Sequence, residues 1–203
     1  MLQELWTILQ WAGNNWLELF GVASVLLYIW LEVKQHSSLW IVGFISSLVY
    51  VFVFFRSGLY AFSVLYLYYV VASVYGMYCW RFARGQDKKT ELSVSRLRLI
   101  PGVVLALISV VLFVGIGYVL DNYITSSTPP YGEALATSLS VVATWMLARK
   151  ILEHWILWIF INFFSSGLYF WCELYPTAVL FVVYGVMSVV GWFKWKKGML
   201  DNF

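Results

Sequence analysis

Charge is scarce in this chain. Asp, Glu, Lys and Arg make up 11% of its 203 residues, and apolar residues 62%. A soluble domain carries about 25% charge and less than half apolar residues. That shortage excludes an ordinary soluble fold and points to a polytopic membrane protein. Cysteine is nearly absent as well: Cys79 and Cys172 both sit inside apolar runs, which excludes a disulfide framework or a thiolate metal site. The two histidines, His36 and His154, lie near helix ends without a third ligand in view, so no metal or other cofactor is expected. No Walker motif occurs, and no acid pair lies within an apolar run, which speaks against ATP coupling and an intramembrane enzyme. Proton coupling usually wants a carboxylate at mid-membrane, and none of the ten acids lies there.

What the chain has is apolar length and aromatic rings. A spanning helix needs about 20 mostly apolar residues. Such runs occur at roughly 16–33, 39–55, 59–80, 99–120, 134–148, 151–171 and 175–193, predicting seven spans. Pro101 stands at the opening of the fourth, where its missing N–H costs little. Ahead of the first run, "MLQELWTILQW" has Glu4 and no basic segment. Leu2, Leu5, Trp6 and Leu9 recur there at helical spacing, so residues 1–15 are read as an interfacial helix rather than a signal.

The basic residues set an orientation. Alternate compartments hold 12 and 1 of the 13 Lys and Arg. The rich side carries Lys34, the 3–4 loop, Arg149, Lys150 and the tail lysines; the poor side has only Arg56. The positive-inside rule then places the N-terminus outside and the C-terminus in the cytosol.

The chain also repeats itself. Displaced by 115 residues, segment 40–81 lies over 155–196 with 13 identities in 42 positions, among them Trp40/Trp155, Tyr69/Tyr184, Ser73/Ser188, Gly76/Gly191 and Trp80/Trp195. Spans 1–3 (residues 16–82) thus recur as spans 5–7 (131–197), with the polar loop and span 4 (83–120) as connector. The expected fold is all-α, seven transmembrane helices in a 3+1+3 arrangement of parallel repeats. Parallel repeats build transporters with a substrate site near the midplane.

The polar residues inside these spans are few. Trp155, Trp158 and Asn162 are spaced i, i+3, i+7, which puts them on one helix face. Asn162 lies about 16 Å beyond Arg149 and Lys150, near mid-membrane. Two indoles can stack on a flat cationic ring while the amide meets its polar edge; equally, they can be an interfacial belt and a helix tie. Tyr66 and Tyr69 form an aromatic stripe on span 3, and Phe181 replaces the first of them in the second repeat. Ser73 on that stripe, and Ser188 and Gly191 on span 7, suit close helix packing. Ser46 and Ser47 fall opposite Asn162 in the repeat and read either as substrate donors or as packing hydroxyls. Thr137, Ser140 and Thr144 form a polar face on span 5. Glu18, Glu32 and Glu133 near span ends read as solvated interfacial carboxylates, with attraction of a cation as the other reading.

The run "MLARKILEHWILWIFINFFSSGLYFWCELYPTAVLFVVYGVMSVVGW", with W-x-x-W-x-x-x-N at Trp155, Trp158 and Asn162, resembles the C-terminal half of the Pnu family of vitamin transporters. "LYAFSVLYLYYVVASVYGMYCW" resembles the matching N-terminal element. The resemblance implies a fold related to the sugar-carrying SWEET proteins and a homotrimer. It also implies facilitated diffusion of a vitamin across the bacterial inner membrane, with a cytosolic kinase trapping the product. It makes Trp155, Trp158, Asn162, Tyr66, Tyr69, Ser73, Ser46 and Ser47 the substrate-binding candidates. In the family's nicotinamide riboside carriers the position of Tyr66 looks like Gln and that of Ser73 like Asn. Both amides are missing here, so the expectation leans to thiamine, a flat cation without a carboxamide, with nicotinamide riboside as the alternative.

Overall fold

The computed structural model describes residues 16–56, 60–82, 92–123 and 129–201. The interfacial helix expected over 1–15 lies outside the described residues. Seven α-helices follow one another: α1 (Trp16–Val33), α2 (Leu39–Arg56), α3 (Tyr60–Phe82), α4 (Leu99–Tyr123), α5 (Pro130–Ala148), α6 (His154–Trp171) and α7 (Tyr175–Leu200). Among the described residues, four segments are long and apolar enough to cross a membrane: α2, Phe62–Phe82 within α3, α4 and α7. Trp, Asn and Ser lower the hydropathy of α6, and Ser and Thr that of α5, although both are helices of spanning length.

The helices fall where the apolar runs predict, with three corrections. The fifth helix begins at Pro130 rather than at 134, because proline at the first turn forgoes an N–H that would have no partner anyway. The sixth begins at His154 rather than 151, because residues 149–153 are spent on a turn. The last continues past 193 to Leu200, carrying the tail lysines out of the apolar zone on helix.

The chain divides into two compact units, Met1–Val71 and Ala72–Phe203. In the first, α1 packs on α2. In the second, α4 packs on α5, α5 on α6 and α6 on α7.

Equivalent contacts recur inside each unit at a spacing of 115 residues. α1 ends in a left-handed residue, Gln35 (φ 55°), and α5 in Lys150 (φ 50°). Each is closed by the two bonds of a Schellman motif. The His36 N–H donates to Leu31 O (2.9 Å) and Gln35 to Glu32 O (2.9 Å); Ile151 donates to Met146 O (3.0 Å) and Lys150 to Leu147 O (2.9 Å). Phe54 meets Tyr66 at 5.3 Å, and Tyr169 meets Phe181 at 5.1 Å. Tyr66 meets Tyr69 edge-on at 5.8 Å, and Phe181 meets Tyr184 at 5.6 Å. Ser63 Oγ donates to Val51 O (3.1 Å); at the matching pair the donor changes sides, Ser166 Oγ to Ala178 O (2.9 Å).

A non-glycine residue at positive φ is strained, and Lys150 is held there by its surroundings. Its ammonium lies 4.5 Å from the Trp80 ring, and the Trp80 indole N–H donates to Leu147 O (3.2 Å). The polar segment before α4 clamps the same turn. Ser95 N–H donates to Lys150 O (3.0 Å), Leu152 N–H to Ser95 O (2.9 Å), and Leu97 N–H to the Glu153 carboxylate (2.8 Å). The lead-in to α4 is thus tied to the start of α6, the helix that carries Trp155, Trp158 and Asn162.

Candidate functional site

The three candidates on α6 lie on its packed side, and each meets a different surrounding. Trp155 is 1% exposed. Its indole stands edge-on to Trp195 (5.8 Å) and tilted on His154 (4.7 Å). It fits because α7 offers no side chain at Gly191: a Cβ there would fall inside the indole. Close approach at a small residue is the packing mode available to helices in lipid. Trp155 thus packs inward against α7.

Asn162 is 5% exposed. Its amide N–H donates to Ser188 Oγ (3.2 Å), and Ser188 donates in turn to Tyr184 O (2.9 Å). One donor of the amide is thus engaged by α7. A second N–H and the carbonyl remain as its further capacity.

Trp158 is half-buried, and its indole nitrogen is fully buried. The indole N–H groups of Trp155 and Trp158 have no acceptor among the described residues. Buried indole N–H groups ordinarily find a partner. Two of them one turn apart, with the Asn162 amide one turn further, make a stripe with hydrogen-bonding capacity left over beside an aromatic surface.

In the first unit, Tyr66 is ringed by Tyr50 (5.0 Å), Phe54 (5.3 Å) and Tyr69 (5.8 Å). Three aromatic rings thus pack around it. Ser46 Oγ donates back to Val42 O at 2.7 Å, so its hydroxyl is spent on its own helix. Ser47 is buried and holds the place equivalent to Asn162 at the 115-residue spacing. Ser73, in the second unit, is buried with its interactions made. On α5, Ser140 donates to Ala136 O (2.8 Å) and Thr144 to Ser140 O (2.8 Å), so both hydroxyl protons are engaged within their own helix. The structure thus joins Trp155 and Asn162 to α7, and Tyr66 and Tyr69 to a ring cluster.

Two features escape the sequence reading. Ser188, expected only to pack, is the partner of Asn162. Glu32, expected in solvent, is 2% exposed. Its spacing from Tyr28 is the signal that marks it, since i and i+4 share a helix face. The Glu18 side chain lies outside the described residues. A cavity of about 460 Å³ between α4, α5 and α6 is lined mainly by Leu, Val, Met and Phe and by none of the candidate residues. A polar vitamin needs placed hydrogen-bonding groups, and the few in this groove, Ser109, Ser138 and Glu153, are already bonded to backbone at Leu105, Leu135 and Leu97.

The family model described as nicotinamide mononucleotide transporter matches residues 15–197. Among curated proteins, the chain is similar to the nicotinamide riboside transporter PnuC of Escherichia coli (strain K12), 24% identical over 205 residues covering 89% of this chain and 85% of that one. It is equally similar to the protein of that name from Haemophilus influenzae, 24% identical over 203 residues, covering 97% and 86%. Among solved structures, one titled as the vitamin B3 transporter PnuC superposes with a TM-score of 0.73 at 22% identity, over 97% of this chain and 87% of that one. These relatives carry nicotinamide riboside or vitamin B3 in their names, so they give the lean to thiamine no support.

Proposed function

We propose, from the premise that this multi-pass membrane chain belongs to the nicotinamide mononucleotide transporter family, that it carries nicotinamide riboside. Trp158 stacks on the pyridinium ring, and Asn162 meets the polar edge with the donor and acceptor that Ser188 leaves over. The carrying observation is the pair of buried indole N–H groups, Trp155 and Trp158, one turn from Asn162 on one face. The relatives' names supply the substrate. The ring cluster around Tyr66 is what keeps thiamine as a second reading. The architecture we read is 3+1+3, two three-helix repeats joined by α4. Its support is the recurrence of turns and ring pairs at 115 residues.

Transport is uniport, with a cytosolic kinase trapping the product. In proteoliposomes, nicotinamide riboside influx is expected to follow its electrochemical gradient alone and to be outcompeted only weakly by thiamine. Stronger competition by thiamine would exchange the two readings. Accumulation driven by an imposed pH gradient, with membrane potential clamped, would disprove uniport.

The orientation is N-terminus outside, C-terminus cytosolic, on the strength of the 12-to-1 split of basic residues. A cysteine at Gly198 is expected to resist membrane-impermeant maleimide in intact cells and to label after permeabilisation. Equal labelling before and after would reverse the assignment.

A further inference from the structure

Glu32 occupies a place where the fold has no need of a carboxylate. The residue 115 positions later, Leu147, is fully buried, and the same Schellman turn follows it. An apolar side chain therefore closes this helix end equally well. Burying a carboxylate is costly in a membrane protein, and such residues mark function by default. Tyr28 and Tyr68, which lies in its reach, differ from their second-unit equivalents in the same sense. Tyr28, one turn back on the same face, stands where the second unit has Ala143, and Tyr68 stands where it has Val183. Tyr28 lies within electrostatic reach of Glu32, Tyr69 and Tyr68. The Tyr68 and Tyr69 rings meet at 5.4 Å. Glu32 is held in place by interactions of its own.

One carboxylate within electrostatic reach of the Tyr28 ring, with Tyr68 and Tyr69 in reach of that ring, is poorly suited to a hard metal ion, which wants six or more oxygens. It suits a flat organic cation of low charge density, held by ring faces and balanced by one negative charge. We infer that Glu32, with Tyr28, Tyr68 and Tyr69, is the charge filter of this carrier, selecting a ring cation over an uncharged molecule of the same shape. The inference rests on the proposed function for the identity of that cation, but not for the existence of the site.

The test uses the purified full-length protein and calorimetric titration with nicotinamide riboside and with its reduced, uncharged dihydropyridine form. The wild type is expected to prefer the cation. In Glu32→Gln the ratio of the two affinities, charged over uncharged, is expected to fall roughly tenfold or more. Glu32→Leu installs the residue the second unit uses and is expected to do the same, so a misfolded Gln variant does not block the test. An unchanged ratio in a monodisperse, folded variant overturns the charge filter. If the wild type binds neither form, the nicotinamide riboside reading fails. The filter is then decided by two other cations, thiamine and N-methylpyridinium. Their binding must weaken in Glu32→Gln, and an absence of Glu32-dependent binding to either overturns it.

Discussion

Trp155→Ala is expected to cost about 3 kcal/mol of stability, whereas Trp158→Ala keeps the fold and loses substrate. Trp155 is 1% exposed and is seated against Gly191, Trp195 and His154. Its removal leaves a cavity lined by rings. Phe or Trp to Ala in a core costs ~3–5 kcal/mol. In lipid the transfer part of that cost is small and lost packing dominates, which favours the low end. Trp158 is only half-buried, so its removal opens less of a cavity. Stacking of a base on an aromatic side chain is worth about 1–3 kcal/mol, a loss of roughly 5- to 150-fold in affinity. Thermal unfolding in detergent and calorimetric titration with nicotinamide riboside read the two effects separately. A Trp158→Ala protein that binds like wild type would remove this ring from the substrate site.

Asn162→Leu is expected to weaken nicotinamide riboside binding about 5- to 150-fold with little loss of stability, on ~1–3 kcal/mol for an unpaired polar group. The structural side is cheap for a specific reason. Ser188 keeps its bond to Tyr184 O when the Asn162 amide is gone, so no buried hydroxyl is orphaned. Interhelical hydrogen bonds in membranes average only ~0.6 kcal/mol in any case. Ser188→Ala breaks the same bond from the other side while leaving the amide present, and is expected to change affinity much less. Equal affinity losses in both variants would make Asn162 a residue held by Ser188 for packing. Unchanged affinity in Asn162→Leu would take it out of the site.

Much of this protein follows from its sequence without any fold. The seven helices, their order and most of their limits are set by apolar length, because backbone polar groups in lipid must pair within the segment. The 115-residue spacing is equally local to read, and it locates the Gln35 and Lys150 turns and the Tyr66 and Phe181 rings before any contact is known. The one-face stripe of Trp155, Trp158 and Asn162 follows from helical periodicity alone.

Which of those side chains is already engaged is a different matter, because partners come from other helices. Periodicity gives Trp155 and Trp158 the same standing. Only the approach of α7, at a residue without a Cβ, makes Trp155 a packing anchor and leaves Trp158 half-buried. Asn162 is an orphan amide in the sequence and a donor to Ser188 in the fold. Glu32 lies near a span end, where linear distance predicts solvent, yet the fold leaves it 2% exposed, with Tyr28 in electrostatic reach. Position along a helix sets depth in the membrane, but burial also depends on what stands beside the helix at that depth. That second coordinate is decided by tertiary packing.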